Sequence, residues 1–154
     1  MKKEQTIYTS DVCETEQVGV DLAKELIADA TLPSFVALYG DLGVGKTAFI
    51  RGFVSQISPA ATVRSPTFAL VNEYRAKPRS IFHFDMYRIE DEDDLYSIGF
   101  YDYLDRNGIC LVEWSEKIPY ALPEDYIRVT IEKNDPDAPN SRSIRIELVC
   151  EDDL

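Results

Sequence analysis

The segment Gly40-Asp41-Leu42-Gly43-Val44-Gly45-Lys46-Thr47 constrains this chain more than any other, because it satisfies Gly-x-x-x-x-Gly-Lys-[Ser/Thr]. Each fixed position has a physical job. Glycines let the backbone fold around phosphates, so that successive N–H groups converge on them at the positive end of the following helix. Lys46 supplies a mobile ammonium for the β- and γ-phosphates, and the Thr47 hydroxyl can ligate Mg²⁺. The flanks agree: Phe35-Val36-Ala37-Leu38-Tyr39 is a continuous apolar run, as in a strand buried on both faces of a parallel sheet, and a helix is predicted from Gly45 or Lys46 to about Ile57. Strand, loop and helix together assign Asp41, Leu42, Gly43, Val44, Gly45, Lys46 and Thr47 to the phosphates of a bound Mg-ATP.

A phosphate loop does not by itself hold a metal. Ligands of open α/β sheets collect at the C-terminal ends of the strands, so acids there are the next candidates. Asp85 follows the apolar run Ile81-Phe82-His83-Phe84, and Glu113 follows Ile109-Cys110-Leu111-Val112. A single acid in such a place commonly just caps its strand; beside a phosphate loop, Asp85 and Glu113 are better read as Mg²⁺ ligands or water-orienting groups. Ser65-Pro66-Thr67 is either a proline-containing turn or a loop whose hydroxyls sense the γ-phosphate. His83 lies inside an apolar strand, where a packed, hydrogen-bonded ring outweighs a catalytic base. Core packing accounts for Trp114 as well as nucleotide contact does.

The rest of the chain completes an alternating α/β pattern. A short strand from Gln5 to Thr9 leads to Ser10 or Asp11 as a helix N-cap, and Val12, Val18, Leu22, Leu26 and Ile27 recur at helical spacing to about Ala30. A strand is predicted over Phe68 to Tyr74, then a turn at Lys77-Pro78-Arg79. The acidic run after Ile89 starts one helix carrying Leu95, Ile98, Phe100 and Leu104, which ends near Asn107-Gly108. Beyond Pro123 the period changes to two, with Ile127, Val129 and Ile131 answered by Ile144, Ile146 and Leu148 across a turn at residues 134–140; this predicts an antiparallel hairpin at the sheet edge. The expected architecture is three-layer α/β with a mainly parallel sheet and antiparallel edge strands, residues 1–154 forming a single nucleotide-binding domain.

Charge and composition bound the function classes. The formal net charge is −12, from 28 acidic against 16 basic residues, which opposes nonspecific affinity for a nucleic-acid backbone. Cys13, Cys110 and Cys150 lack the close spacing of a zinc site or redox dithiol and are expected to be reduced thiols; with no signal-peptide core and no long apolar segment, a cytosolic protein is expected. A small-molecule kinase usually adds an arginine-rich lid, whereas Asp91 to Asp105 is acidic; a guanine-nucleotide switch would carry Asn-Lys-x-Asp, which is absent. The same loop and acids would serve an ATPase or a nucleotide-dependent binding switch equally well.

Several of these pieces, in order and at matching spacing, resemble one family. They are the phosphate loop, Arg51-Gly52, Ser65-Pro66-Thr67-Phe68, His83-Phe84-Asp85-Met86-Tyr87-Arg88 and Leu111-Val112-Glu113-Trp114-Ser115-Glu116-Lys117. The stretch from Gly40 to Lys117 resembles the bacterial TsaE proteins (formerly YjeE), the ATPase component of tRNA threonylcarbamoyladenosine biosynthesis. The resemblance implies a P-loop NTPase-like fold, with Thr47 and Glu113 near Mg²⁺, Asp85 as the acid of the second nucleotide motif, Thr67 in a switch loop and Trp114 next to the nucleotide. It also implies a base contact from the segment around Ser10 to Val12. Val44 and Ala48 stand where the family is associated with Ala and Thr, changes that leave the glycines, the lysine and the metal hydroxyl intact. The expected function is that of a weakly hydrolysing ATP-binding accessory protein, which works with the proteins of a threonylcarbamoyl-transferase complex and does not bind tRNA alone.

Overall fold

The structure is a computed structural model that describes residues 1–41, 43–66 and 70–150. Leu42, Thr67, Phe68 and Ala69 lie outside the described residues, as does the acidic tail after Cys150. Seven strands form one sheet: β1 (Glu4–Thr9), β2 (Phe35–Tyr39), β3 (Val71–Tyr74), β4 (Ser80–Asp85), β5 (Gly108–Glu113), β6 (Tyr126–Asp135) and β7 (Ala138–Val149), in the order β1-β7-β6-β2-β5-β4-β3. The central strands β6, β2, β5 and β4 are mutually parallel, and β3, β7 and β1 are antiparallel to their neighbours.

Strand alternation sorts the core into two layers, one on each face of the sheet. Val36, Leu38, Ile81, Ile109, Leu111, Ile127 and Val129 pack under α1 (Val12–Ala28) and α2 (Lys46–Ile57), whose Leu22, Leu26, Phe49 and Phe53 join the same cluster. Phe35, Ala37, Phe82, Phe84, Cys110 and Val112 face the other way, onto Leu95 of α3 (Glu92–Ser97), Phe100 of α4 (Phe100–Leu104) and Ile118. Asp11 is the N-cap of α1, its carboxylate accepting from the Glu14 amide at 2.8 Å.

Three sequence expectations need correction. The hairpin β6–β7 is not at the edge: β6 runs parallel to β2 inside the sheet, and β1 pairs along β7 and is the edge strand instead. Full burial of Ile127, Val129, Ile131, Ile144 and Ile146 fits that interior position. The helix expected from the acidic run is two short helices, interrupted at Gly99, whose φ of 73° lies in the left-handed region that favours glycine. Of the strand expected over Phe68 to Tyr74, Phe68 and Ala69 lie outside the described residues, and Leu70, with φ 63°, stands outside the ladder that begins at Val71.

Candidate functional site

The loop between β2 and α2 turns back over the sheet through three positive-φ glycines, Gly40 (φ 143°), Gly43 (φ 77°) and Gly45 (φ 104°). At Gly40 space matters as well as φ, since a Cβ there would lie 2.5 Å from the Ile131 carbonyl oxygen of β6. Val44 is buried behind the loop. Its carbonyl accepts from Arg142 Nε of β7 at 2.7 Å, and Arg142 also donates to the Pro139 and Ser141 carbonyls. Arg142 thus ties the loop to the hairpin across 98 positions of sequence. Sequence reasoning missed it, since nothing near Arg142 points to the loop.

A cleft of about 340 Å³ opens at the C-terminal ends of β4 and β5, lined by Gly43, Gly45, Lys46, Thr47, Ser65, Asp85, Glu113 and Trp114. Strand periodicity explains the convergence of the two acids. Ile81, His83 and Asp85 alternate onto the face covered by α2, as do Ile109, Leu111 and Glu113, and Asp85 pairs with Glu113 across the parallel ladder. Asp85 accepts from the Tyr87 amide at 2.9 Å, and the Met86 amide donates to the Glu113 carbonyl at 3.0 Å, which fixes the two strand ends together.

Lys46 is only 6% exposed. Its ammonium donates to the Gly40 carbonyl at 2.7 Å and stands 4.0 Å from the Trp114 ring centroid. Burial lowers its pKa from the ordinary lysine value, and the carboxylates of Glu113, Glu116, Asp85 and Asp41 act the other way. Trp114 has φ 58°, a conformation costing a non-glycine residue about 1–2 kcal/mol. The indole is in contact with Lys46 and with Tyr87, whose ring centroid is 5.0 Å away. Trp114 both packs against the core cluster around Phe84 and Val112 and lines the cleft.

Of the residues singled out from sequence, Gly43, Gly45, Lys46, Thr47, Asp85, Glu113 and Trp114 meet at this cleft. Asp41 and Val44 line a separate cleft beside Gly40 and residues 130–133 of β6. Leu42 and Thr67 are outside the described residues. Val12 reaches the opposite side of the loop, where it lines a small hollow with Thr15, Gly45, Ala48, Asn140 and Arg142. Arg88 is exposed and is not part of the cleft lining.

The residues present fit a hard divalent cation bound together with phosphates. Among the described residues no three His, Cys, Asp or Glu side chains form a cage of their own. Mg²⁺ is typically held by one or two carboxylates, water and substrate phosphates, and the cleft offers two carboxylates beside the hydroxyl of Thr47.

A phosphate loop at the C-terminal edge of a parallel sheet, with acids at the ends of two neighbouring strands, defines a P-loop NTPase-like protein. The crystal structure of YdiB from Bacillus subtilis superposes with a TM-score of 0.75 at 28% identity, covering 97% of this chain and 88% of that one. The family model described as threonylcarbamoyl adenosine biosynthesis protein TsaE matches residues 9–144. Curated relatives called tRNA threonylcarbamoyladenosine biosynthesis protein TsaE include one from Haemophilus influenzae, 44% identical over 77% of this chain and 72% of its own length. Another, from Bacillus subtilis, is 35% identical over 85% of this chain and 84% of its own. The chain belongs to the TsaE family. Among the described residues no helix is long and apolar enough to cross a membrane.

Proposed function

We propose that this protein binds Mg-ATP in the cleft at the start of α2 and hydrolyses it slowly, as an accessory to the proteins that place a threonylcarbamoyl group on adenosine in tRNA. The observation that carries the proposal is the convergence of Lys46, Thr47, Asp85, Glu113 and Trp114 on one cleft at the N-terminus of α2. The names of the relatives supply the pathway.

The loop amides and the Lys46 ammonium would take the charge of the phosphates. Mg²⁺, held by Thr47 and the carboxylates of Asp85 and Glu113, would supply Lewis-acid neutralisation of the β- and γ-oxygens. Glu113, with its side chain only 11% exposed, is the group best placed to orient an attacking water. Val12 and the hollow beside Gly45 and Arg142 are offered as the base side of the loop. A slow rate for the isolated chain, with a partner completing the site, belongs to the same proposal.

Two measurements test it. Glu113→Gln keeps the side-chain shape and an acceptor for His83, so it is expected to bind Mg-ATP near wild-type affinity while losing roughly 100-fold or more in turnover. Calorimetric titration and phosphate release read the two separately; lost binding with normal turnover per bound ATP would make Glu113 a structural or base-contacting residue. The second measurement concerns the net charge of −12, which leaves the RNA contacts to other proteins. No tRNA gel shift is expected from the isolated chain at about 0.15 M salt, alongside ATP-dependent association with the modifying complex. Tight tRNA binding by the chain alone, or association indifferent to ATP, would overturn that assignment.

A further inference from the structure

Beneath the cleft, a file of hydrogen bonds runs through the sheet toward Glu113. His83 is 1% exposed, and its Nε2 lies 2.6 Å from Glu113 Oε2. Its Nδ1 lies 3.3 Å from the hydroxyl of Tyr74 on β3, whose ring stacks on the imidazole with centroids 6.0 Å apart. The Tyr74 oxygen is in turn 3.3 Å from the Arg64 amide nitrogen, one residue before Ser65 in the cleft lining.

The donors and acceptors along this file have a consistent direction. A carboxylate offers only acceptors, so the 2.6 Å contact needs a hydrogen on Nε2, which in the neutral ring leaves Nδ1 as an acceptor. The single hydroxyl proton of Tyr74 has two acceptors within 3.3 Å, Nδ1 and the Arg64 carbonyl. That carbonyl can accept twice and already receives Asn72 Nδ2–H at 2.9 Å, so the arrangement that pairs every group directs the Tyr74 hydroxyl hydrogen at Nδ1, which stays the acceptor. Arg64 N–H then donates to Tyr74, Tyr74 O–H to His83, and His83 Nε2–H to Glu113, and every donor meets an acceptor.

We infer that His83 is a positioning residue for Glu113, with Tyr74 fixing its tautomer and joining both to the backbone just before Ser65. The inference rests on the ATPase reading of Glu113 for its functional consequence, and on geometry alone for the bond itself. One carboxylate oxygen is committed to the imidazole, so the Glu113 side chain cannot swing, and its second oxygen is left for the cleft. Outer partners of this kind, when removed, commonly cost roughly 10- to 100-fold in metal affinity or activity. A ring whose Nε2 is committed to Glu113 and whose Nδ1 is committed to Tyr74 has no free nitrogen for substrate, so His83 acts through Glu113.

The test uses a convenience of this chain: His83 is its only histidine, so ring-nitrogen NMR of the labelled protein reports one imidazole. The wild-type spectrum is expected to show a hydrogen on Nε2 held in the bond to Glu113, and Tyr74→Phe to shift the Nδ1 resonance. His83→Phe is expected to lower kcat roughly 10- to 100-fold at saturating Mg-ATP with the Kd for ATP changed less than about threefold. His83→Gln, whose amide nitrogen falls where Nε2 stood, is expected to restore most of the turnover; a merely space-filling role would favour Phe over Gln. A wild-type ring protonated on Nδ1, turnover in His83→Phe equal to wild type, or no rescue by Gln would each overturn the inference. If the wild-type chain turns over no ATP, the ATPase reading fails, and the ring spectrum alone then decides whether His83 holds Glu113.

Discussion

Lys46→Ala is expected to weaken Mg-ATP binding by about 2–4 kcal/mol, roughly 30- to 1,000-fold, because charge-assisted hydrogen bonds are worth about 1.5–3 kcal/mol each and the ammonium would make more than one. The ammonium is already inside the cleft, donating to the Gly40 carbonyl and standing over Trp114. It would exchange one backbone acceptor for phosphate oxygens without leaving its place. Burial disfavours its charge, and phosphates would restore what desolvation takes away. Truncation also strips the Gly40 carbonyl of its donor, so a stability loss of about 1–2 kcal/mol is expected alongside. The urea midpoint reads that loss and calorimetric titration reads the affinity. Wild-type affinity in the folded mutant would sink the assignment of the loop to phosphates.

Much of the site was legible because its signals are local. An apolar run, a glycine-rich turn and an amphipathic helix lie contiguously over residues 35–57, and each reports its own structure through composition and period. Asp85 and Glu113 were legible for a related reason: each directly ends an apolar run, and strand ends are where ligands of such sheets gather. Their pairing across the β4–β5 ladder required only that both strands be parallel neighbours.

What was not legible depends on contacts far apart in sequence. Arg142 looks like one more polar residue before a period-two strand, and only the insertion of β7 between β6 and β1 brings it against Val44. His83 was recognised as a packed, hydrogen-bonded ring; its partners Tyr74 and Glu113 come from the strands on either side of β4. Hairpin placement failed because the alternation of Ile127, Val129 and Ile131 specifies a buried face and says nothing about which strands flank it. The burial of Lys46 was not legible either: lysines are rarely buried, and this one is held by an acidic surround and an aromatic face that come mainly from distant parts of the chain.

Gly52→Ala should be the most destabilising of the small substitutions, and its cause has nothing to do with nucleotide. Arg51-Gly52 stood out in the sequence as part of a family pattern, and the structure gives the glycine a packing reason. A Cβ at Gly52 would lie 1.9 Å from the Glu16 carbonyl oxygen and 2.6 Å from its carbon, both backbone atoms of α1. Gly19 faces α2 in the reciprocal sense, its Cβ position 2.1 Å from the Phe49 carbonyl oxygen. The two helices therefore touch backbone to backbone at two points, and no rotamer change can make room. Alanine gains about 1 kcal/mol over glycine in helix propensity, whereas overpacking typically costs about 1–3 kcal/mol even where side chains can yield. With only backbone to yield, the clash wins, and a net loss of about 3 kcal/mol or more is expected, lowering Tm by roughly 6–12 °C for a chain of this size. Arg51→Ala is the neighbouring control. It removes only the Arg51–Glu16 ion pair at 2.7 Å, half exposed on the arginine side and worth no more than about 1 kcal/mol. Urea and thermal denaturation of both variants check the difference, and a Gly52→Ala protein as stable as wild type would show that α1 and α2 do not approach this closely.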